Sequence, residues 1–377
     1  MRFADNRNKI GKYIPAVVFL IFIYGMALWF IFSPKPDYSS SEKRYLQKFP
    51  EVTAEKLLSG DFGSEFETFF ADRFPQRNTW VGLNAYTALA EGNNGASGVY
   101  NCKNGYLINK PVSTENNLDK NIGAVADFAK SIDTPTTVML VPSTGYIVDD
   151  VLPTFHDKYN DDEDISKISS TLSKDKIGFV DLRERFKSEY KNGSQLYYKT
   201  DHHWTTKGAY TGYQELCKAL GITPIDDSTL KKDSYPDFYG TTYSSSGFWL
   251  TPPDNIEIWN NSKNSDRNIS VKITEGANIK TSGSMYFTDH LKEDDKYPVF
   301  IDGNHALTEI TNTNAKNGTI LLIKDSFSHS LAPFLAENYS KVVLVDLRYY
   351  KESVSDLVTT YNPEQVVVLY GIDNLAT

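Results

Sequence analysis

Cysteine is almost absent: the 377 residues include only Cys102 and Cys217, with no Cys-x-x-Cys spacing. That scarcity leaves no material for a zinc ribbon or a disulfide framework. One thiol lies in a turn-rich segment and the other on an expected helix from Thr211 to Leu220, so they read as independent and semi-buried, with a single bridge as the alternative. Positive charge is also short, at 39 Lys and Arg against 48 Asp and Glu, for a formal net charge of −9. No basic stripe interleaved with aromatics follows the N-terminus, so nucleic acid is not an expected partner. Acidic pairs placed to hold metal are lacking too: Asp149-Asp150 and the run from Asp161 to Asp164 read as solvated loop charge. Long apolar runs are scarce, and the one from Ile14 to Phe32 stands out.

That run is uncharged and follows Arg2, Arg7, Lys9 and Lys12. A helix rises ~1.5 Å per residue and needs about 20 apolar residues to cross hydrocarbon, so the run suffices with little tilt. The basic flank argues for residues 1–13 as a cytoplasmic tail, 14–33 as a transmembrane signal anchor, and the remainder outside the cell membrane. A cleaved signal peptide is the competing reading, but Phe32-Ser33-Pro34-Lys35-Pro36 offers no small-x-small site. Residues 34–95 then read as a helical juxtamembrane segment, with Phe62, Phe66, Phe69 and Phe70 at helical spacing and Asp72-Arg73-Phe74-Pro75-Gln76-Arg77 closing it. The Phe stripe reads as a packing face. Aromatics are abundant overall, with 24 Tyr and 21 Phe, which fits core scaffolding and also saccharide-handling surfaces.

The fold from residue 96 onward reads as α/β. Strands are expected at Thr136 to Val141 and Gly178 to Leu182. From Ile320 the alternation is clearer: strand Ile320 to Ile323, helix Leu331 to Asn338, strand Val342 to Val345, helix Lys351 to Thr360, strand Val366 to Leu369. Short connections between alternating elements imply a parallel sheet with flanking helices. Ligands in such sheets gather at the C-terminal strand ends, where Ser326, Asp346, Arg348, Gly371 and Asn374 would lie. Residues 235–319 differ, reading as a loop- and strand-rich insertion.

Chemistry concentrates in Asp201-His202-His203-Trp204. On extended backbone, side chains two apart share a face, so Asp201 would orient one ring nitrogen of His203 while His202 points away. A carboxylate so placed steadies the imidazolium when the other nitrogen takes a proton. Ser326 supplies a nucleophile, since the strand Thr319 to Ile323 runs into it and a helix follows, leaving free helix N-terminal N–H groups to hold an oxyanion. Two other readings of the motif remain: a DHH-type metal site, which lacks its further carboxylates, and a purely structural Asp–His pair.

Asp201-His202-His203-Trp204, with Lys324-Asp325-Ser326-Phe327 downstream, resembles the bacterial DHHW proteins, relatives of the alginate O-acetyltransferases with a circularly permuted SGNH-hydrolase-like fold. The resemblance implies a catalytic triad of Ser326, His203 and Asp201, with no cofactor and no metal. It implies that Asp302-Gly303-Asn304 and Gly371-Ile372-Asp373-Asn374 stand near oxyanion elements, making Asn304, Gly371 and Asn374 candidates although both differ from the family pattern. It also implies that the segment between His and Ser shapes a substrate cleft, so Tyr239, Tyr243 and Trp249 become candidate sugar-stacking groups; Trp204 and Arg348 are further candidate substrate-binding residues. The implied activity is O-acetylation of an exopolysaccharide or cell-wall polysaccharide outside the cell membrane, with acetyl delivered by a multi-pass membrane acyltransferase. A carbohydrate O-acetylesterase shares every catalytic group, and a non-catalytic polysaccharide-binding or assembly subunit is the third reading.

Overall fold

The computed structural model describes residues 2–112, 117–263 and 268–376, so Met1 and the side chains of Arg2, Arg7 and Lys9 in the expected tail lie outside the described residues. The chain forms two compact units, Met1–Thr87 and Ala88–Thr377. In the first, α1 (Arg2–Phe32) contains the stretch Lys12–Phe32, long and apolar enough to cross a membrane. Two helices follow, the short α2 (Ala54–Ser59) and the amphipathic α3 (Asp61–Asp72), with Gly60 between them at φ 86, a left-handed conformation that favours glycine. The Asp-Arg run after α3 acts as a clasp. Asp72 accepts from Arg44 Nη1 and Nη2 at 2.9 and 2.5 Å, and Arg73 donates to the carbonyls of Gln47 and Pro36 at 2.9 and 2.7 Å. Arg44 holds the Asp72 carboxyl below its ordinary range.

The second unit is built on an eight-stranded sheet. In chain order its strands are β1 (Thr136–Val141), β2 (Gly178–Asp181), β3 (Ile269–Glu275), β4 (Asn278–Ser282), β5 (Leu307–Asn312), β6 (Asn317–Lys324), β7 (Tyr339–Val345) and β8 (Gln365–Gly371). Their spatial order is β4-β3-β5-β7-β6-β8-β1-β2. The strands from β7 to β2 in that order run parallel, as their continuous apolar sequences imply for a sheet covered on both faces. Alternation within them is strict. Met139, Ile320, Leu322, Val367 and Leu369 enter one core cluster, whereas Val138, Leu140, Leu321, Ile323, Val366 and Val368 enter the other.

The sheet is not wholly parallel. β3, β4 and β5, drawn from the segment read as an insertion, continue it antiparallel from β7. Local patterning could not show this, because β3 carries buried apolar residues at alternate positions, Ile269, Val271 and Ile273, with Val271 paired to Ile310 of β5, and that pattern suits any sheet with one covered face. A separate ribbon pairs Leu230–Phe238 with Asp254–Asn261. Its neighbour is α4 (Thr206–Leu220), capped by Thr205, whose hydroxyl accepts from Gly208 N, and ended by Gly221 in the left-handed region.

Candidate active site

β6 ends at Lys324, and the chain turns through Asp325-Ser326-Phe327 into α5 (Ser328–Leu335). Ser326 is thus presented at the C-terminal edge of a central parallel strand, 8% exposed. The motif loop arrives from the side, held by a bridge between Tyr197 and Trp204 and by Tyr198 N donating to His203 O at 3.2 Å. His203 Nε2 lies 2.7 Å from Ser326 Oγ, and His203 Nδ1 lies 2.5 Å from Asp201 Oδ1. The structure therefore brings Asp201, His203 and Ser326 into one hydrogen-bonded line.

It reaches that line by a different local route from the expected one. Residues 200–203 form bends instead of a strand, and Asp201 Oδ1 also accepts from the His203 backbone N–H at 2.9 Å, closing a turn of the Asx type. In that turn the two rings are not separated: His202 lies beside His203 with centroids 3.9 Å apart, and its Nδ1 meets Thr241 Oγ1 at 2.7 Å. On the far side, Tyr297 stacks on His203 at 4.0 Å and 11°, and its hydroxyl donates to the Ser326 carbonyl at 3.2 Å. His203 is clamped between two rings.

Asp201 is almost wholly buried, and its other oxygen accepts from Thr241 N and Oγ1 at 2.7 and 3.1 Å. Burial alone would raise its pKa; the charges of His203 and His202 and these hydrogen bonds outweigh burial and hold the carboxyl well below its usual range. His202 moves the opposite way, pushed down to about 4 by burial and by its neighbour His203. Behind the loop, buried Asp254 accepts from Lys199 N, Thr200 N, Thr200 Oγ1 and Gln195 Nε2, which fixes the chain entering the motif. Nothing in the local sequence Pro253-Asp254-Asn255 signals this role, since its partners lie more than fifty residues upstream.

Several expected roles shift. Gly371 N and Asn374 Nδ2 both donate to Asp325 Oδ2, at 2.8 and 2.7 Å, and Phe327 N donates to Asp325 Oδ1 at 3.0 Å. The donors expected for an oxyanion thus hold a buried carboxylate, whose pKa burial raises against those three bonds. Ser326 N–H is the donor at the turn that takes no acceptor among the described residues. Asn304 accepts from Arg348 Nη2 at 3.0 Å, and Arg348 in turn grips Asp346, at 2.9 Å from Nε to Oδ1 and 2.6 Å from Nη2 to Oδ2. Asp346 also faces Lys324, a fully buried cation at 3.1 Å whose ammonium donates to His329 Nε2 at 2.9 Å. Sequence reading assigned no role to Lys324, although it stands in the motif before Ser326, and His329 and Tyr297 carry no spacing signal. Trp204, expected to face substrate, is 0% exposed and donates its indole N–H to Phe327 O and Ser330 Oγ at 3.0 and 2.9 Å, binding the motif loop to the nucleophile's helix.

Tyr239, Tyr243 and Trp249 form a half-buried aromatic row, with centroids 4.3 and 5.2 Å apart. The row borders the site, because Tyr243 N donates to Thr200 O at 2.9 Å. A cavity of ≈ 70 Å³ opens beside His202 and Phe327, walled by Val141, Ser143, Tyr159 and Asp373 among others. Asp201, His202 and His203 also offer ligand atoms within 4.8 Å of one another. His203 Nδ1 and both oxygens of Asp201 are already engaged within the protein, so a cation held by these atoms would displace the hydrogen bond between Asp201 and His203.

The family model described as DHHW protein matches residues 103–345. The chain belongs to the DHHW family. Among solved structures, a DHHW family protein from Eubacterium siraeum superposes with a TM-score of 0.63 at 18% identity, over 75% of this chain and 93% of that one. PatB1 of Bacillus cereus, solved with a sulfonyl adduct, gives 0.60 at 20% identity over 74% and 94%. The O-acetyltransferase domain of AlgJ from Pseudomonas putida gives 0.48 at 14% over 74% and 92%. No curated protein matches the sequence. This DHHW chain therefore shares its fold with the first two proteins along nearly their whole length.

Proposed function

We propose that this DHHW protein is a membrane-anchored O-acetyltransferase that acts outside the cell on a polysaccharide, through an acetyl-enzyme formed on Ser326. One observation carries the reading: Asp201, His203 and Ser326 stand in hydrogen-bonded line at 2.5 and 2.7 Å, at the strand edge where such sheets place ligands. His203 Nε2 takes the Ser326 proton as Oγ attacks the donor's acetyl carbonyl. The Ser326 N–H faces the oxygen that gains charge. The donor's leaving group departs with the proton from His203, and acetyl remains on Oγ. A saccharide whose ring stacks against Tyr243 and its neighbours then gives a hydroxyl proton to His203 and attacks the acetyl carbonyl; the bond to Oγ breaks, the acetyl group leaves on the sugar, and His203 returns the proton to Ser326. The order of the groups along the chain, Asp and His before Ser, fits a permuted SGNH-hydrolase-like arrangement. α1 serves as the anchor, and a multi-pass membrane acyltransferase supplies acetyl.

The adduct in the PatB1 structure suggests the reagent for a test. The full-length chain in detergent is treated with an arylsulfonyl fluoride or an activated acetyl ester and weighed intact. One adduct on the wild type and on Ser328→Ala, with none on Ser326→Ala, is expected. Oligosaccharides should speed loss of the acetyl adduct and appear acetylated. Loss at one rate with every oligosaccharide, giving only free acetate, would mean an esterase. Labelling of Ser326→Ala equal to wild type would overturn the mechanism.

A further inference from the structure

The Phe stripe of α3 does not disappear into a core. Phe62, Phe66 and Phe69 each meet Phe49 edge-on, and Phe66 stacks on Phe62 and tilts against Phe69, at centroid distances from 5.4 to 6.5 Å. Yet Phe49 is 56% exposed, Phe66 40% and Phe70 41%, and α2 adds Leu57 at 54% and Leu58 at 90%. Phenylalanines joined ring to ring in this way, with two exposed leucines on the adjoining helix, are rare on a surface that meets only water. Its continuation points to what covers it. Phe30, in the last turn of α1, lies 4.6 Å from Phe70 and 6.2 Å from Phe69, so the patch runs on without a break from the exposed apolar surface of the spanning stretch. At the join, Lys35 Nζ lies 3.9 Å from the Phe30 ring centroid, a basic and aromatic pair of the kind that marks a membrane–water boundary. The opposite face of α3 carries exposed Ser64, Glu67 and Thr68, which gives the helix the two-sided character of one lying in an interface.

We propose that Phe49, Leu57, Leu58, Phe66 and Phe70 dock into the headgroup–acyl boundary of the bilayer that holds α1, so that α2 and α3 lie on the membrane surface. The proposal rests on the reading of α1 as a membrane span, and the two can fail separately. Cys102 and Cys217 are buried, and burial pushes both thiols up to about 12, so a cysteine introduced at the surface takes a thiol-reactive label selectively. The full chain is reconstituted in phosphatidylcholine–phosphatidylglycerol vesicles as Leu58→Cys and, for comparison, Ser64→Cys, each carrying an environment-sensitive fluorophore. The Leu58 site should emit at shorter wavelength, be quenched by lipids bearing a nitroxide high on the acyl chain, and resist aqueous iodide. The Ser64 site should show the reverse. Iodide quenching as strong at Leu58 as at Ser64 would overturn docking. So would a Leu58 label shielded from iodide yet untouched by the lipid nitroxide, which would mean that another protein covers the face. Alkaline carbonate extraction separates the two readings: release of the chain removes the anchor, whereas retention with an iodide-accessible Leu58 removes only the docking.

Discussion

His203 owes its place to its neighbours as much as to Asp201. His203→Ala should lower turnover by roughly four to six orders of magnitude, as loss of a triad member does. His202→Gln should retain most activity, because in the proposed mechanism the second ring takes no part in proton transfer and Tyr297 still stacks on His203, and parallel assays of the two variants read this directly. Under the proposed mechanism Tyr297 would be a positioning residue, since its ring stacks on the imidazole and its hydroxyl donates to the Ser326 carbonyl. Tyr297→Leu should reduce kcat by about 10²-fold, the scale set by small misplacements, with KM nearly unchanged. Tyr297→Phe keeps the stack and should recover most of that loss; a kcat as low as that of the Leu variant would show that stacking is not what matters. Stability also depends on pH through His202. Its pKa falls from 6.5 in the unfolded chain to about 4, so between those values the unfolded chain binds a proton that the fold refuses, and stability drops as pH falls. Urea midpoints at pH 7 and pH 5 should therefore differ less in His202→Gln than in wild type. Asp201 shifts stability in the same direction at lower pH, its contribution being present above the ordinary carboxylate range and lost as pH falls through its depressed value.

At the scale of elements, the motif loop is set by contacts from far along the chain. Asp254 takes four donors from residues 195–200, and Gly240 packs so closely that a Cβ there would stand 2.1 Å from Asp201 Cβ and 2.3 Å from its Oδ2. Gly240→Ala must push either Asp201 or the turn bearing Thr241 aside. We expect a loss of about 1–3 kcal/mol in stability, typical of overpacking, together with a fall in acylation rate larger than the stability loss alone would produce. An unchanged acylation rate in a folded Gly240→Ala protein would refute that role. The same geometry explains why the pairing of Asp201 with His203 could be read in the sequence while its form could not. Two residues of separation brings the groups together on a strand and also in an Asx turn, and only Asp254, Gly240 and Thr241 select the turn. Trp204 was misread for a related reason. An aromatic after a catalytic His suits a substrate platform, but Gly212 on α4 leaves room for its ring, a Cβ there lying 2.9 Å from Trp204 Cζ3, and so the indole goes inward.

For the whole molecule, the proposed topology makes one plain demand: protease added to intact spheroplasts should degrade the chain beyond Pro34, and full protection until lysis would place it on the wrong side. The parallel core was readable because β1, β6, β7 and β8 are short, continuous apolar runs between turn signals, a pattern that a sheet covered on both faces imposes on its own sequence. The antiparallel extension was not readable, since pairing partners are chosen by tertiary contact and β3 begins in a segment with no strand–helix rhythm.

By itself the sequence determined the apolar stretch of α1, the strand–helix alternation after residue 319, and the residue types that meet at the site, because each depends on local composition and spacing. Only the tertiary structure decided which donors remain for an oxyanion. Gly371 and Asn374 lie at the expected strand end, but the buried carboxylate of Asp325 needs hydrogen bonds more than a solvated one would, and it takes theirs.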